Sequence, residues 1–186
     1  EIAATLAFSA IQNNDKVGLM FFTDKIEKFI PPKKGKKHIL LLIREMLEFK
    51  PESNGTDINM ALEYLTGILK KRCATFIVSD FIDTHDYYKS MSIASRKHDL
   101  TAIQVYDKRE AQLPDVGLMK LLDAESGEMK WIDTSSKKVR QAYNKWWYER
   151  QLNMNVTMQR CKVDVASVAT DEDYVKSLMG LFKKRG

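Results

Sequence analysis

Cysteine, proline and glycine are scarce in this sequence, at two, four and eight of 186 residues. Cys73 and Cys161 lie far apart, each beside an apolar, strand-like run, which argues for buried thiols in a reducing compartment rather than a disulfide. The small number of turn formers excludes a low-complexity chain, and no internal repeat is visible. No apolar run approaches the roughly 18–20 residues of a membrane helix and no signal peptide is seen, so a cytoplasmic location is expected. His38, His85 and His98 fall in separate segments and read as surface or helix-end residues. There is no Gly-x-Gly-x-x-Gly, no Walker-type loop, and no Gly-x-Ser-x-Gly elbow around Ser9, Ser79 or Ser90. Neither nucleotide binding nor serine-hydrolase chemistry is indicated, and the chain reads as non-enzymatic.

What is present is a globular composition, 44% hydrophobic and 30% charged, in a length that suits one domain with a sizeable core. The net charge of +5 gathers in three clusters. Two of them, Lys70-Lys71-Arg72 and Lys183-Lys184-Arg185, fall near expected helix C-termini, where cations complement the macrodipole. Only Lys33-Lys34-Gly35-Lys36-Lys37 hints at a nucleic-acid surface, and it lacks interleaved aromatics.

Hydrophobic periodicity predicts helices over 1–13, 36–49, 57–71 and about 85–97. Strands are expected at 16–22, 26–30, 74–79, 100–106 and 161–168. The run from Lys16 to Phe22 is almost continuously apolar, as in a strand covered on both faces, and Pro31-Pro32 should stop its neighbour. This alternation argues for a parallel βαβ sheet. It breaks at 107–160, which reads as an inserted hairpin (116–123 and 129–133) followed by a long helix capped by Ser135 or Ser136. A last helix, capped by Thr170 or Asp171, closes the chain.

Two positions carry candidate chemistry. Thr56, in Ser53-Asn54-Gly55-Thr56-Asp57, stands at a helix start, and Asp80 ends the strand 74–79. In an open parallel sheet both face the crevice where ligands bind. Their hydroxyl and carboxylate are hard donors of the kind Mg²⁺ prefers, although a helix cap and a strand-end turn account for the same residues. Asp83 could pair with Asp80 but reads as the start of the next helix, and a hydrolase would need a histidine or carboxylate converging on Asp80. Among the aromatics, Trp146 and Trp147 are adjacent on a helix and so point to different sides. One packs inward and the other is available to a partner.

The order of these segments resembles a von Willebrand factor A-type domain, and more narrowly the bacterial branch called domain-of-unknown-function fifty-eight, often encoded beside MoxR-type AAA+ ATPases. The matching stretches are Asn13-Asn14-Asp15-Lys16-Val17-Gly18-Leu19, Ile30-Pro31-Pro32-Lys33-Lys34-Gly35, Gly55-Thr56-Asp57, Ser79-Asp80-Phe81 and Asp123-Ala124-Glu125-Ser126-Gly127-Glu128. The resemblance implies a doubly wound, mostly parallel α/β sheet forming a single domain over 1–186, with 107–160 inserted in it. It also implies a metal-ion-dependent adhesion site for Mg²⁺ or Mn²⁺, in which Thr56 and Asp80 supply two ligands. The site's Asp-x-Ser-x-Ser loop is absent, and so is the sheet's first central strand. The chain, which opens already within a helix at Glu1, therefore looks like a fragment missing roughly 80–110 upstream residues, with any ion weakly held. The gap should close by pairing 17–22 with 74–79, or be filled by another segment or chain, which makes oligomerisation through the slot an expectation. The implied function is a protein–protein interaction module working with a MoxR-type ATPase in chaperone-like assembly. A nucleic-acid-binding domain using Lys33–Lys37 is the alternative.

Overall fold

The computed structural model of the protein describes residues 1–122 and 129–183. The turn expected at 124–128 lies outside the described residues, as do Asp123, Lys184 and Arg185. In chain order the elements are α1 (Ile2–Gln12), β1 (Val17–Phe22), β2 (Ile26–Lys33), α2 (Lys36–Glu48), α3 (Ile58–Ile68), β3 (Ala74–Ser79), α4 (Tyr88–Lys97) and β4 (Asp99–Tyr106). A 3-10 turn (Lys108–Ala111) leads to β5 (Leu118–Leu122), β6 (Met129–Asp133), α5 (Lys137–Arg160), β7 (Asp164–Ala169) and α6 (Tyr174–Lys183).

The parallel sheet has the order β3-β4-β7, with Ala74 opposite Asp99 and Thr101 opposite Asp164. Central β4 buries Leu100, Thr101, Ala102, Ile103 and Gln104 in succession. Alternating residues can all be buried only when helices cover both faces. On one face α3, α4 and α5 contribute Ile58, Leu62, Met91, Ala94, Met154 and Met158 against Ile77 and Ala102. On the other, Ile2 and Leu6 of α1 and Leu178 of α6 meet Ile103 and Val168. Each isoleucine, leucine, methionine or valine among them is worth about 1.5–3 kcal/mol when fully buried. Gln104 is satisfied inside this core, donating to Gln151 Oε1 and accepting from the Ser167 hydroxyl, both at 3.0 Å.

β1 and β2 form a separate antiparallel ribbon. Its own cluster joins Ile30 to Ala7 of α1 and to Ile39 and Leu42 of α2, so α1 serves both cores through adjacent residues. The prolines do not stop β2, which runs through Pro31 and Pro32 until Lys33 lies opposite Val17. An irregular register between Val17 and Leu19 accommodates them. Gly18 sits at this irregularity, where a Cβ would come within 2.9 Å of the Ile30 carbonyl oxygen.

Several expectations are corrected. No residue of β1 is fully buried, against the expectation of a strand covered on both faces. Among the described residues β1 pairs only with β2 and β3 only with β4, so the gap is not closed by pairing 17–22 with 74–79. Both strands keep an open edge, and Val78 is left 38% exposed. β7 begins at Asp164 rather than 161, because the end of α5 uses the intervening residues. There the Cys161 amide bonds Thr157, Lys162 turns to φ 55° and the Val163 amide bonds Met158. Asp173 caps α6 through the Val175 amide at 3.0 Å, in place of Thr170 or Asp171. Ser136 occupies the N-cap of α5 without a side-chain cap bond, while the Ser135 hydroxyl turns back to Asp133. Both cysteines are free, Cys161 buried and Cys73 half-buried.

His98 is not a surface residue: it is completely buried at the end of α4, with Nδ1 3.4 Å from Cys73 Sγ. His38 is half-buried, and its Nε2 lies 2.9 Å from the Val17 carbonyl.

Candidate functional site at the carboxyl end of the sheet

The loops after β1, before α3 and after β3 converge at the carboxyl end of β3. Glu27 organises the second of them: its carboxylate accepts the Glu52 and Ser53 amides, at 3.1 and 3.2 Å, and the Thr23 hydroxyl at 2.9 Å. The Asp57 amide donates to the Thr23 carbonyl. Gly55 passes so near Asp24 that a Cβ would stand 3.1 Å from the aspartate's own Cβ. Hydrogen bonding to Ser53, ahead of smaller effects, keeps the Asp24 carboxyl below its ordinary pKa.

Asp83 ties this loop to the third. Its side chain is entirely buried. Oδ2 accepts the Ile58 amide at 2.7 Å, while Oδ1 accepts the His85 amide at 2.7 Å and faces the His85 ring at 2.8 Å. Asp83 therefore does not start α4, as the sequence suggested; it joins two loops 25 residues apart. The hydrogen bond and charge of Asp83 raise the pKa of His85. Asp57, not Thr56, is the N-cap of α3, accepting the Met60 amide at 2.8 Å.

Asp80 is exposed and makes a strand-end turn, accepting the Ile82 amide at 2.8 Å. The turn forces Phe81 into the left-handed region at φ 57°, an unusual place for a bulky residue. Three contacts hold it there: the Ser79 hydroxyl accepts the Phe81 amide, Arg150 donates to the Phe81 carbonyl, and the Phe81 ring is buried in the core.

Arg150 brings in the inserted helix. Its guanidinium stacks over Trp146 at 5.2 Å, and Trp146 packs against Tyr143 and Trp147. Trp146 is 46% exposed and Trp147 is half-buried. A crevice of about 400 Å³ results, lined by Phe81, Asp83, His85, Tyr87, Trp146 and Arg150. Burial pushes the Tyr87 hydroxyl up to about 12, so it is neutral and able to donate.

One atom each from Asp57, Asp83 and His85 lies within 4.8 Å of the others, a grouping that could hold a cation. As arranged it does not fit one. Asp57 Oδ1 caps a helix, both Asp83 oxygens accept backbone amides, and the His85 Nδ1 is turned to Asp83. Mg²⁺ requires about six well-placed oxygens, so occupation would release these contacts. Thr56 adjoins this cluster, its backbone also raising the His85 pKa, whereas Asp80 is outside the grouping. Sequence reading missed Asp57, Asp83 and His85 as a unit, and the offset of two between Asp83 and His85 was the only signal.

The architecture is mixed α/β, with a parallel sheet of three strands and two antiparallel ribbons among the described residues. The chain belongs to the family described as protein of unknown function DUF58, whose model matches residues 1–152. It is 23% identical over 185 residues to uncharacterised proteins of Mycobacterium tuberculosis and Mycobacterium bovis, covering 98% of this chain. It spans only 58% of those relatives' length. An uncharacterised Mycobacterium avium protein is 24% identical over 158 residues, 84% of this chain and 93% of that one. The fold is shared with the conserved hypothetical protein BatB of Bacteroides thetaiotaomicron, at TM-score 0.55 and 14% identity, covering 99% of this chain and 85% of that one. It is shared too with an aerotolerance-related membrane protein of Bacteroides fragilis, at TM-score 0.56 and 14% identity, covering 98% and 87%. Among the described residues of this chain no helix is long and apolar enough to cross a membrane.

Proposed function

We propose that this chain is a non-enzymatic protein–protein interaction module whose partner meets the crevice at the carboxyl end of β3. One observation carries the reading: the turn fixed by Phe81 and Asp83 faces an exposed tryptophan already stacked on an arginine. Tryptophan and arginine are enriched among the few residues that dominate interface energetics, and the stack on Trp146 already orders the arginine. The lining mixes Arg150 with the carboxylates of Asp83, Asp86 and Glu149, so the partner's contribution is an apolar or aromatic group for Trp146 rather than a bare charge. No nucleophile with a poised base is required by this reading.

The finer reading follows from the resemblance to von Willebrand factor A-type domains. The partner is a MoxR-type AAA+ ATPase, in chaperone-like assembly in the cytoplasm, and the loops beside the crevice carry the remnant of a metal-ion-dependent adhesion site, whose expected ligands Thr56 and Asp80 are not among the crevice's lining residues. Thr56 and Asp80 then provide two oxygens toward Mg²⁺ or Mn²⁺, too few for tight binding by this chain alone. Calorimetric titration with the MoxR-type ATPase of the source organism tests it. Trp146→Ala and Arg150→Ala should each weaken binding about tenfold or more, and no heat with the wild type would end the proposal.

The alternative of nucleic-acid binding draws on Lys33, Lys34, Lys36 and Lys37, all exposed around the start of α2. It requires a steep salt dependence of binding to any DNA or RNA.

A further inference from the structure

β7 is the outer strand of the parallel sheet, paired on one side with β4 and, among the described residues, with no strand on the other. Alternate residues of such a strand direct their N–H and C=O groups outward, where an added strand can take them up. Natural proteins usually cover or charge so accessible an edge. Here, among the described residues, it is uncovered, lies in a groove of about 770 Å³ and carries charge of mostly one sign, which deters a second copy of the same edge.

The shape of the groove is informative. It follows the chain without a break from Lys162 to Ser167. One wall is α5, through Met158 and Gln159, and the other is α6, through Ser177, Gly180 and Leu181. These helices lie on opposite faces of the sheet, with Met158 packed in one core cluster and Leu178 in the other. The groove is therefore the space beyond the sheet's edge, between the two helical layers. The wall leaves room for an approaching backbone, since a Cβ built on Gly180 meets nothing within 4 Å.

Charge decides what enters. Lys162 and Lys176 line the groove, both exposed and neither in an ion pair among the described residues. Asp164 is the single acidic residue of the lining. We infer that the β7 edge receives an extended, acidic segment of a partner protein as an added strand. Main-chain hydrogen bonds to β7 supply affinity, and carboxylates at Lys162 and Lys176 supply selectivity. This surface lies beyond the far strand of the sheet from β3 and does not depend on the crevice reading.

Fluorescence anisotropy with a fluorescein-labelled eight-residue peptide of alternating glutamate and valine tests the inference on the whole chain. The expected result is saturable binding, with a lysine–valine peptide of the same length at least about tenfold weaker. Lys162→Glu combined with Lys176→Glu should cost the acidic peptide about tenfold. Gly180→Leu keeps both charges and suits a helix, yet fills the groove, and should abolish binding while circular dichroism stays unchanged. Amide exchange at 163–167 should slow in the complex. The inference is overturned if the acidic peptide fails to bind at 1 mM peptide (roughly the weakest affinity worth assigning), or binds equally to the Gly180→Leu variant. A 12-nucleotide single strand that binds with the same sensitivity to both variants, or dimerisation of the chain that Gly180→Leu abolishes, also overturns it.

Discussion

At the amino end of the parallel sheet, Cys73 and His98 meet with Sγ and Nδ1 3.4 Å apart, and His98 Nε2 and Thr101 Oγ1 are buried with no hydrogen-bond partner. At the carboxyl end, Asp57, Asp83 and His85 gather beside open solvent, and both oxygens of Asp83 are engaged by backbone amides. The amino end thus tolerates unpaired polar atoms in a closed core, while the carboxyl end spends its ionisable groups holding loops in place. Buried orphans cost about 1–3 kcal/mol each, so the closed end sacrifices stability and offers nothing to a ligand. The open end is tied together by hydrogen bonds around an open crevice. A crevice held by a buried carboxylate, with Trp146 and Arg150 at its wall, is the arrangement expected of a docking site.

Breaking the carboxyl-end stitch should have the largest effect. Asp83→Ala removes the acceptor of the Ile58 and His85 amides and should cost about 3 kcal/mol in urea unfolding, whereas a change near zero would mean the loops hold without it. Asp57→Ala removes only the cap of α3, and about 1 kcal/mol is expected by the same measurement.

Acidification should separate the two ends by sign. Burial, ahead of the nearby Lys97 charge, holds the His98 pKa below its ordinary value, so the folded protein keeps this ring neutral. Below about 6.5 the unfolded chain binds a proton that the folded one refuses, and stability falls as pH drops through that window. His85 acts in reverse. Its raised pKa gives a contribution complete below about 6.5 that fades as pH rises through the raised value. With a side chain 54% exposed, His85 is the weaker of the two. The melting temperature should therefore fall between pH 7.5 and about 5.5, and His98→Gln should reduce that fall.

Magnesium should do least. With the donors already engaged and a Kd no tighter than 10 mM, 10 mM MgCl₂ should stabilise the chain by at most about 0.4 kcal/mol. A shift of several degrees in the melting temperature would show that the cluster opens for an ion after all.

The element order was legible because buried strands alternate with amphipathic helices, and the hairpin and long helix stand where that rhythm breaks. Local rules failed where a neighbour overrode them. Pro31 and Pro32 extend β2 because β1 absorbs them at Gly18, and Lys162 delays β7 because α5 closes through Met158. Thr56 and Asp80 were chosen from a Gly-turned loop and a strand end, but the groups that the fold brings together are those of Asp57, Asp83 and His85. Asp83 was misread as a helix start because its partner, the Ile58 amide, is distant in sequence and close only in the fold.

Hydrogen–deuterium exchange of the complex with the MoxR-type ATPase tests the central claim most directly. The account predicts protection at 80–88 and 143–157, the two walls of the crevice, with little change at 33–37. Protection concentrated on 33–37, with both walls unchanged, would contradict it.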